Sequence, residues 1–371
     1  MKLTFPHMGD IYIPLKSFFS QLDIDVIVPP LPTQRTLELG VKNSPEFACL
    51  PLKINIGNFI EAFEIGADTI LMAGGIGPCR FGYYAQVEKE ILKDLGYKFD
   101  MIVLEPPQGR LKDVLKNIGK IIGKKSLNRI FKAAKLAWLK AKVLEDIEKN
   151  VIKFRSLEKN RGETTQIYRL AKKKIDEAED EESLKKIYNE LDKMIKSIKL
   201  NDSLSPIKIA IIGEIYTVLE PFVNLNIIEK LGEMGVEVIR TINLTEWANL
   251  NIFLDLFRIK GEKEVKKAAK PYLNYFVGGH GLESVGNSVL LSKGNCDGII
   301  HLAPFTCMPE IVAQSILPNI SRKLDIPIMS LVIDEHSAEA GFVTRLEAFI
   351  DLLKAKKEGY TIYEKSILLG N

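Results

Sequence analysis

The chain has 371 residues, enough for two or three domains, each with its own core. A hydrophobic fraction of 46% and a charged fraction of 27% are those of an ordinary globular protein, and no run of about 18 apolar residues suggests a membrane span. The net charge of +3, with lysines interleaved among acids, is too weak for a nucleic-acid footprint, and the opening MKLTFPHMGD has no signal-peptide pattern. A cytoplasmic protein without nucleic-acid or membrane partners is therefore expected.

Lys2 to Phe5 reads as a short strand, and Pro6 to Asp10 as a loop into a helix from about Ile13 to Leu22. Asp25-Val26-Ile27-Val28 is a second strand, Thr33 to Leu39 a short helix or loop, and Ser44 to Pro51 a loop that sets Cys49 just before a helix over Lys53 to Ile65. Strand Ile70–Ala73, the Cys79 loop, helix Tyr84–Leu95 and strand Met101–Leu104 follow. Strands alternating with helices of this length imply βαβ units and a parallel sheet, here within residues 1–105.

Pro106-Pro107 breaks the pattern, and from Leu111 to Leu200 the chain is rich in Lys, Glu, Ala, Leu and Ile at helical spacing. A helical insertion over 106–205 is expected, its Lys and Glu runs being solvated faces or, alternatively, a docking surface. Strand Lys208–Gly213 restores the α/β pattern. A loop to Glu220-Pro221 comes next and carries neither a G-x-x-x-x-G-K-[ST] nor a G-x-G-x-x-G phosphate motif. Helix Asn224–Met234, strand Val236–Ile239, a polar stretch from Asn243 to Asn251 and a helix to about Asn274 lead to the glycine-rich turn Val277-Gly278-Gly279-His280-Gly281. A helix from Ser284 to Leu291, strand Ile299–Ala303, a helix opened by Pro309, strand Ile326–Ile333 and a helix over Ala338 to Lys356 complete a second α/β domain, 206–371.

Four cysteines do not make a disulfide scaffold in a chain of this size, and in a reducing compartment they read as core thiols, catalytic thiols or metal ligands. Cys49, Cys79 and Cys307 share one setting: a proline-stiffened loop next to a helix start, where amide donors favour a thiolate. Cys79 and Cys307 also follow strand ends, where open α/β sheets place their ligands. Their spacing matches no zinc finger or ferredoxin run, so buried structural thiols remain the rival to metal ligands. Cys296, at the start of a strand, reads as a core or surface thiol. His301 reads as a core histidine, while His280 among glycines and His336, beside Asp334 and Glu335 at a strand end, are open to either reading. No G-x-S-x-G elbow or H-E-x-x-H appears.

The segments DGIIHLAPFTCMPE, DEHSAEAGFVTRLEAFIDLL, AGGIGPCRFGYY and FACLPLKINIGNFIEAFEIGAD resemble the 2-hydroxyacyl-CoA dehydratase/benzoyl-CoA reductase superfamily, in particular its activase-associated proteins related to the dehydratase D-component. The resemblance covers 1–105 and 206–371; the helical middle matches only in kind. It implies two flavodoxin-like or Rossmann-like parallel-sheet domains with a helical domain between them, and a [4Fe-4S] cluster held by Cys49, Cys79 and Cys307. It also implies an ATP-hydrolysing activator iron–sulfur protein as electron donor, a related second subunit or homodimer, and a small-molecule substrate, an acyl-CoA being one candidate. Arg80, Glu335 and His336 are the candidate catalytic or substrate contacts. Four cysteines cannot supply the double cubane of some relatives. A dehydratase or reductase is the first expectation, a non-enzymatic electron-transfer subunit the second, and a cluster-free protein with structural thiols the third.

Overall fold

The computed structural model describes residues 1–75, 78–104, 119, 121–201, 204–243, 245, 263–294 and 296–359. Two four-stranded sheets organise it. β1 (Lys2–Thr4), β2 (Asp25–Val26), β3 (Thr69–Ala73) and β4 (Asp100–Leu104) lie in the order β2-β1-β3-β4. β5 (Ile207–Gly213), β6 (Val236–Arg240), β7 (Gly298–Pro304) and β8 (Ile328–Ile333) lie in the order β6-β5-β7-β8. All neighbouring pairs are parallel, so each sheet needs helical crossovers, and its central strands are almost continuously apolar because both faces are covered. Every residue of β7 is buried. In both sheets the strand order reverses between the first and third strands, β1/β3 and β5/β7, which is where a ligand crevice opens beyond the carboxyl ends.

The first sheet carries α1 (Tyr12–Ser20), α2 (Gln34–Asn43), α3 (Leu50–Glu64) and α4 (Tyr84–Asp94). The helix α3 is buried from Leu50 to Ala62 on every face, polar residues included. Each polar side chain there has found a partner: Lys53 with Glu335, Asn55 with Glu88, Asn58 with the His7 amide and the Pro30 carbonyl, and Glu61 with the Thr36 hydroxyl. The crossing of α2 and α3 is close enough that a Cβ on Gly40 would strike the Lys53 carbonyl and one on Gly57 the Thr36 carbonyl. The stretch read as a short helix or loop from Thr33 is the full helix α2, because Thr33 and Thr36 close a capping box.

In chain order α5 (Leu127–Arg155), α6 (Glu163–Glu177) and α7 (Glu181–Lys196) come between β4 and β5, and they bury a shared cluster that includes Leu144, Ile147, Ile175 and Leu191 and takes in Ile13 of α1. The second sheet carries α8 (Ile215–Leu219), α9 (Ile227–Glu233), α10 (Lys263–Ala269), α11 (Gly281–Leu291), α12 (Met308–Leu324) and α13 (Glu339–Lys357). The loop expected after Gly213 is instead α8, since the Glu214 side chain accepts from the Tyr216 and Thr217 amides and so caps a turn that carries no sequence period of its own. Pro106-Pro107, the start of the helical stretch from Leu111, and most of the polar run Asn243 to Asn251 lie outside the described residues.

The carboxyl ends of the two sheets face one another. His7, just past β1, meets Glu220 Oε2 at 3.0 Å through Nδ1 with both side chains buried, and the Gly9 amide donates to the same oxygen at 2.7 Å. On the other side of the interface Lys53 Nζ reaches Glu335 Oε1, beyond β8, at 2.5 Å. Among the described residues no helix is long and apolar enough to cross a membrane.

Candidate metal centre

Cys49, Cys79 and Cys307 occupy one local position in three places. Each is the cap residue, with extended backbone, ahead of a helical turn: α3, the 3-10 turn Arg80–Tyr83, and α12. Pro51 and Pro309 stand in the first turn of their helices, where they bring no amide that would otherwise need a partner. None of the three side chains closes a cap hydrogen bond, and the amides of Leu52, Phe81 and Glu310 act in favour of the thiolate.

The fold brings these thiols into one electrostatic neighbourhood. The charge of Cys79 bears on Cys49 and that of Cys49 on Cys307, and Glu214 bears on all three. Burial, and after it Glu214, pushes the Cys49 thiol up to about 12; burial raises Cys79 as well, and burial and Glu214 raise Cys307 furthest. Cys307 is buried, whereas Cys49 and Cys79 are partly exposed, so the group opens to solvent on one side. The Tyr84 hydroxyl rests on Cys49 Sγ. The turn at Gly278 and Gly279, with φ of +88° and +47°, folds over Cys79; a Cβ on Gly278 would lie 2.6 Å from the Cys79 amide nitrogen.

Arg80 holds the three loops together. Nη1 donates to the Phe47 carbonyl at 2.8 Å, two residues ahead of Cys49, and Nη2 donates to the carbonyl and hydroxyl of Thr306, immediately ahead of Cys307. Behind Cys307 lies a buried dyad: His301 Nε2 meets Glu310 Oε2 at 2.8 Å, Ser284 Oγ donates to the same oxygen at 2.8 Å, and His301 Nδ1 meets Ser330 Oγ at 3.1 Å. Glu310 Oε1 is buried with no partner among the described residues.

Of the remaining sequence candidates, Glu335 has its carboxylate on Lys53, and His336 is exposed in a turn whose amide donates to Asp334 Oδ1 at 3.0 Å. Cys296 stands at the opposite end of β7 from Cys307, its thiol toward the Leu291 carbonyl. Sequence reading missed Glu214, Tyr84 and Glu310 as neighbours of the thiols. Glu214 alone carried a signal, its place directly after a clean apolar strand.

Among the described residues no group of three or more His, Cys, Asp or Glu side chains is placed so that it could hold a metal ion. In donor chemistry the three thiols, none of which closes a helix cap, are of the type that holds iron in a cluster. The sequence matches no protein-family model and no curated protein.

Proposed function

We propose that this chain is an iron–sulfur protein of the 2-hydroxyacyl-CoA dehydratase type, in which Cys49, Cys79 and Cys307 hold a [4Fe-4S] cluster between two flavodoxin-like units. The reading is carried by one observation: three equivalent cap thiols, from distant parts of the sequence, stand on loops that Arg80 ties together beyond the carboxyl ends of the strands. A bound cluster would supply single low-potential electrons to a substrate, an acyl-CoA thioester being one candidate, for reductive or radical dehydration.

The chain's own residues have defined parts in this. The thiols must lose their protons to bind iron, which burial opposes and the amides of Leu52, Phe81 and Glu310 favour. Arg80 fixes the loops and adds positive charge beside Cys49 and Cys79. The electron donor is read as an ATP-hydrolysing activator. Two features support this: the chain has no phosphate-loop motif of its own, and the loops bearing the thiols, with the turn leading to Gly278, expose Phe47, Tyr83, Tyr275, Phe276 and Phe305, apolar surface of the kind a protein partner covers. The helices α5–α7 are read as a third unit over 106–205, on the strength of their shared cluster.

Iron and acid-labile sulfide assay with EPR on anaerobically prepared protein, beside Cys307→Ser, tests the proposal. About four irons per chain, lost or converted in the variant, is the expected result. Little iron in either protein overturns it.

A further inference from the structure

The glycine-rich turn Val277-Gly278-Gly279-His280-Gly281 stands out in the sequence and takes no part in holding the thiols. It closes a stretch of chain that is fastened only at its two ends. On the α10 side the Tyr272 and Leu273 amides both donate to the Ala269 carbonyl at 2.8 Å, and the Lys323 ammonium stands 5.5 Å from the centre of the Tyr272 ring. On the other side the His280 carbonyl accepts from the Ser284 amide of α11 at 2.7 Å. Between these anchors Asn274 to Gly279 belong to no helix or strand, and among the described residues no hydrogen bond ties them down.

This unfastened stretch lies against the thiol loops. Gly278 is buried, and a Cβ there would also come within 3.1 Å of the Cys79 Cβ. One on Gly279 would stand 3.2 Å from Pro309 Cγ and 3.9 Å from Cys79 Sγ, so the turn spans the loop of Cys79 and the first turn of the helix that Cys307 caps. The backbone lies this close because neither glycine carries a side chain, and both hold a positive φ that other residues rarely adopt. The contact is one of shape, without a hydrogen bond. Just ahead of it Tyr275 and Phe276 are 77% and 58% exposed, so the apolar bulk of the segment points to solvent and does little to hold it in place.

We propose that Asn274 to Gly279 form a lid over Cys79, closed in this structure by the fit of Gly278 against the Cys79 backbone and opened by movement of the segment between Leu273 and His280. A stretch with no backbone pairing, few contacts and exposed side chains opens for a small part of the free energy of unfolding, and the segments that admit ligands are drawn from such parts of a fold. None of the partners of Arg80 lies on the lid, so lifting it breaks no bond that ties the thiol loops to one another. Access to Cys79 can therefore change while the loops keep their places. The lid does not depend on what the thiols hold.

The test is hydrogen exchange read by mass spectrometry on the full-length chain, together with iodoacetamide labelling of Cys79 after a chelator has removed any bound iron, Cys296 serving as the internal reference. In the wild type the Asn274–Gly279 amides should exchange about tenfold faster or more than those of α11. A methyl at position 278 meets the Cys79 backbone, which cannot swing away as a flexible side chain can, so Gly278→Ala holds the lid off. Exchange in the peptide that carries Cys79, and labelling of Cys79 relative to Cys296, should both rise severalfold while α3 and α5 exchange as in the wild type. Tyr275→Gly with Phe276→Gly, at exposed positions, frees the same segment without a clash and should act in the same direction, so the test holds even where Gly278→Ala fails to fold. Lid amides as protected as those of α11, labelling of Cys79 unchanged in the folded variants, or a rise shared equally with Cys296 overturns the lid. Absence of iron from the protein overturns the cluster reading alone and leaves this result untouched.

Discussion

The Arg80 guanidinium donates to the Thr306 hydroxyl at 3.0 Å and to the Thr306 carbonyl, which ties the residue after Cys79 to the residue before Cys307 across the interface between the sheets. Thr306 has a φ of +64°, a left-handed conformation that a β-branched residue adopts only when its surroundings hold it there. Arg80 and the Thr306 Oγ1 contact with the Phe47 carbonyl at 3.2 Å are that hold. The spacing of the thiols is thus set by hydrogen bonds between loops, which exclude neither solvent nor an incoming group.

Arg80→Ala should therefore loosen the site more than the fold. Its bonds are exposed, each worth about 1 kcal/mol, so the melting temperature should fall by only a few degrees while iron retained after gel filtration drops severalfold. Arg80→Lys restores the charge without the two-pronged donor geometry and should recover little iron. Full iron retention in Arg80→Ala would show that the loops hold their geometry unaided.

The pair of Lys53 and Glu335 allows a sharper test of the interface. Lys53 is 1% exposed, so Glu335→Gln strands a buried ammonium, a loss of about 3–5 kcal/mol. Lys53→Met with Glu335→Gln should return most of that loss, because no unpaired ammonium is left buried. Denaturant unfolding of the single and double variants measures the coupling. Burial works against the ionised form of Glu335, yet the Lys53 hydrogen bond and charge hold its pKa below the usual value. Its contribution is accordingly present above the ordinary glutamate range and is lost as pH falls through the lowered value.

Gly57→Ala should cost about 1–3 kcal/mol or more, since the new methyl meets the Thr36 carbonyl inside a crossing that cannot open without shifting α3. Because Cys49 caps that helix, the same variant should bind less iron than its loss of stability alone explains. Parallel melting and iron assays separate the two effects.

How much of this was legible in the sequence follows from the range of each interaction. Strands such as Ile207–Gly213 and Gly298–Pro304 declare themselves by continuous apolar runs, and the thiols by their place between strand ends and proline-opened helices. Local pattern also put Cys296 at the far end of its strand from Cys307. What escaped was set by partners far away in the chain. His7 and Glu220 look like unrelated loop residues until the sheets face each other, and Gly40 and Gly57 look like weak points in helices until the backbones touch. The α8 turn escaped because one capping side chain, Glu214, defines it rather than a period. Arg80 was picked out as a catalytic or substrate contact, but its hydrogen bonds to Phe47 and Thr306 cannot be read from neighbours in sequence.

Glu88 on α4 provides a pH signature of the first sheet that does not involve the thiols. It is wholly buried; Oε1 accepts from Asn55 Nδ2 at 3.1 Å, and Oε2 has no partner among the described residues. Burial pushes its pKa up to about 8, and the Asn55 hydrogen bond only partly offsets that rise. The folded chain thus keeps a proton that the unfolded chain gives up near the ordinary glutamate value, and between those values the native state binds more protons. Stability should be highest below about pH 4.5 as far as this group is concerned, decline as pH rises, and level off past about pH 8. Glu88→Gln removes the titration while keeping an acceptor for Asn55. Urea unfolding near pH 5 and near pH 9 should therefore show the variant gaining stability relative to wild type at the higher pH, by an amount on the order of a few kcal/mol. A difference that does not change with pH would mean that Glu88 is solvated or paired in the folded chain, and that the polar side of α3 tolerates an ionised neighbour.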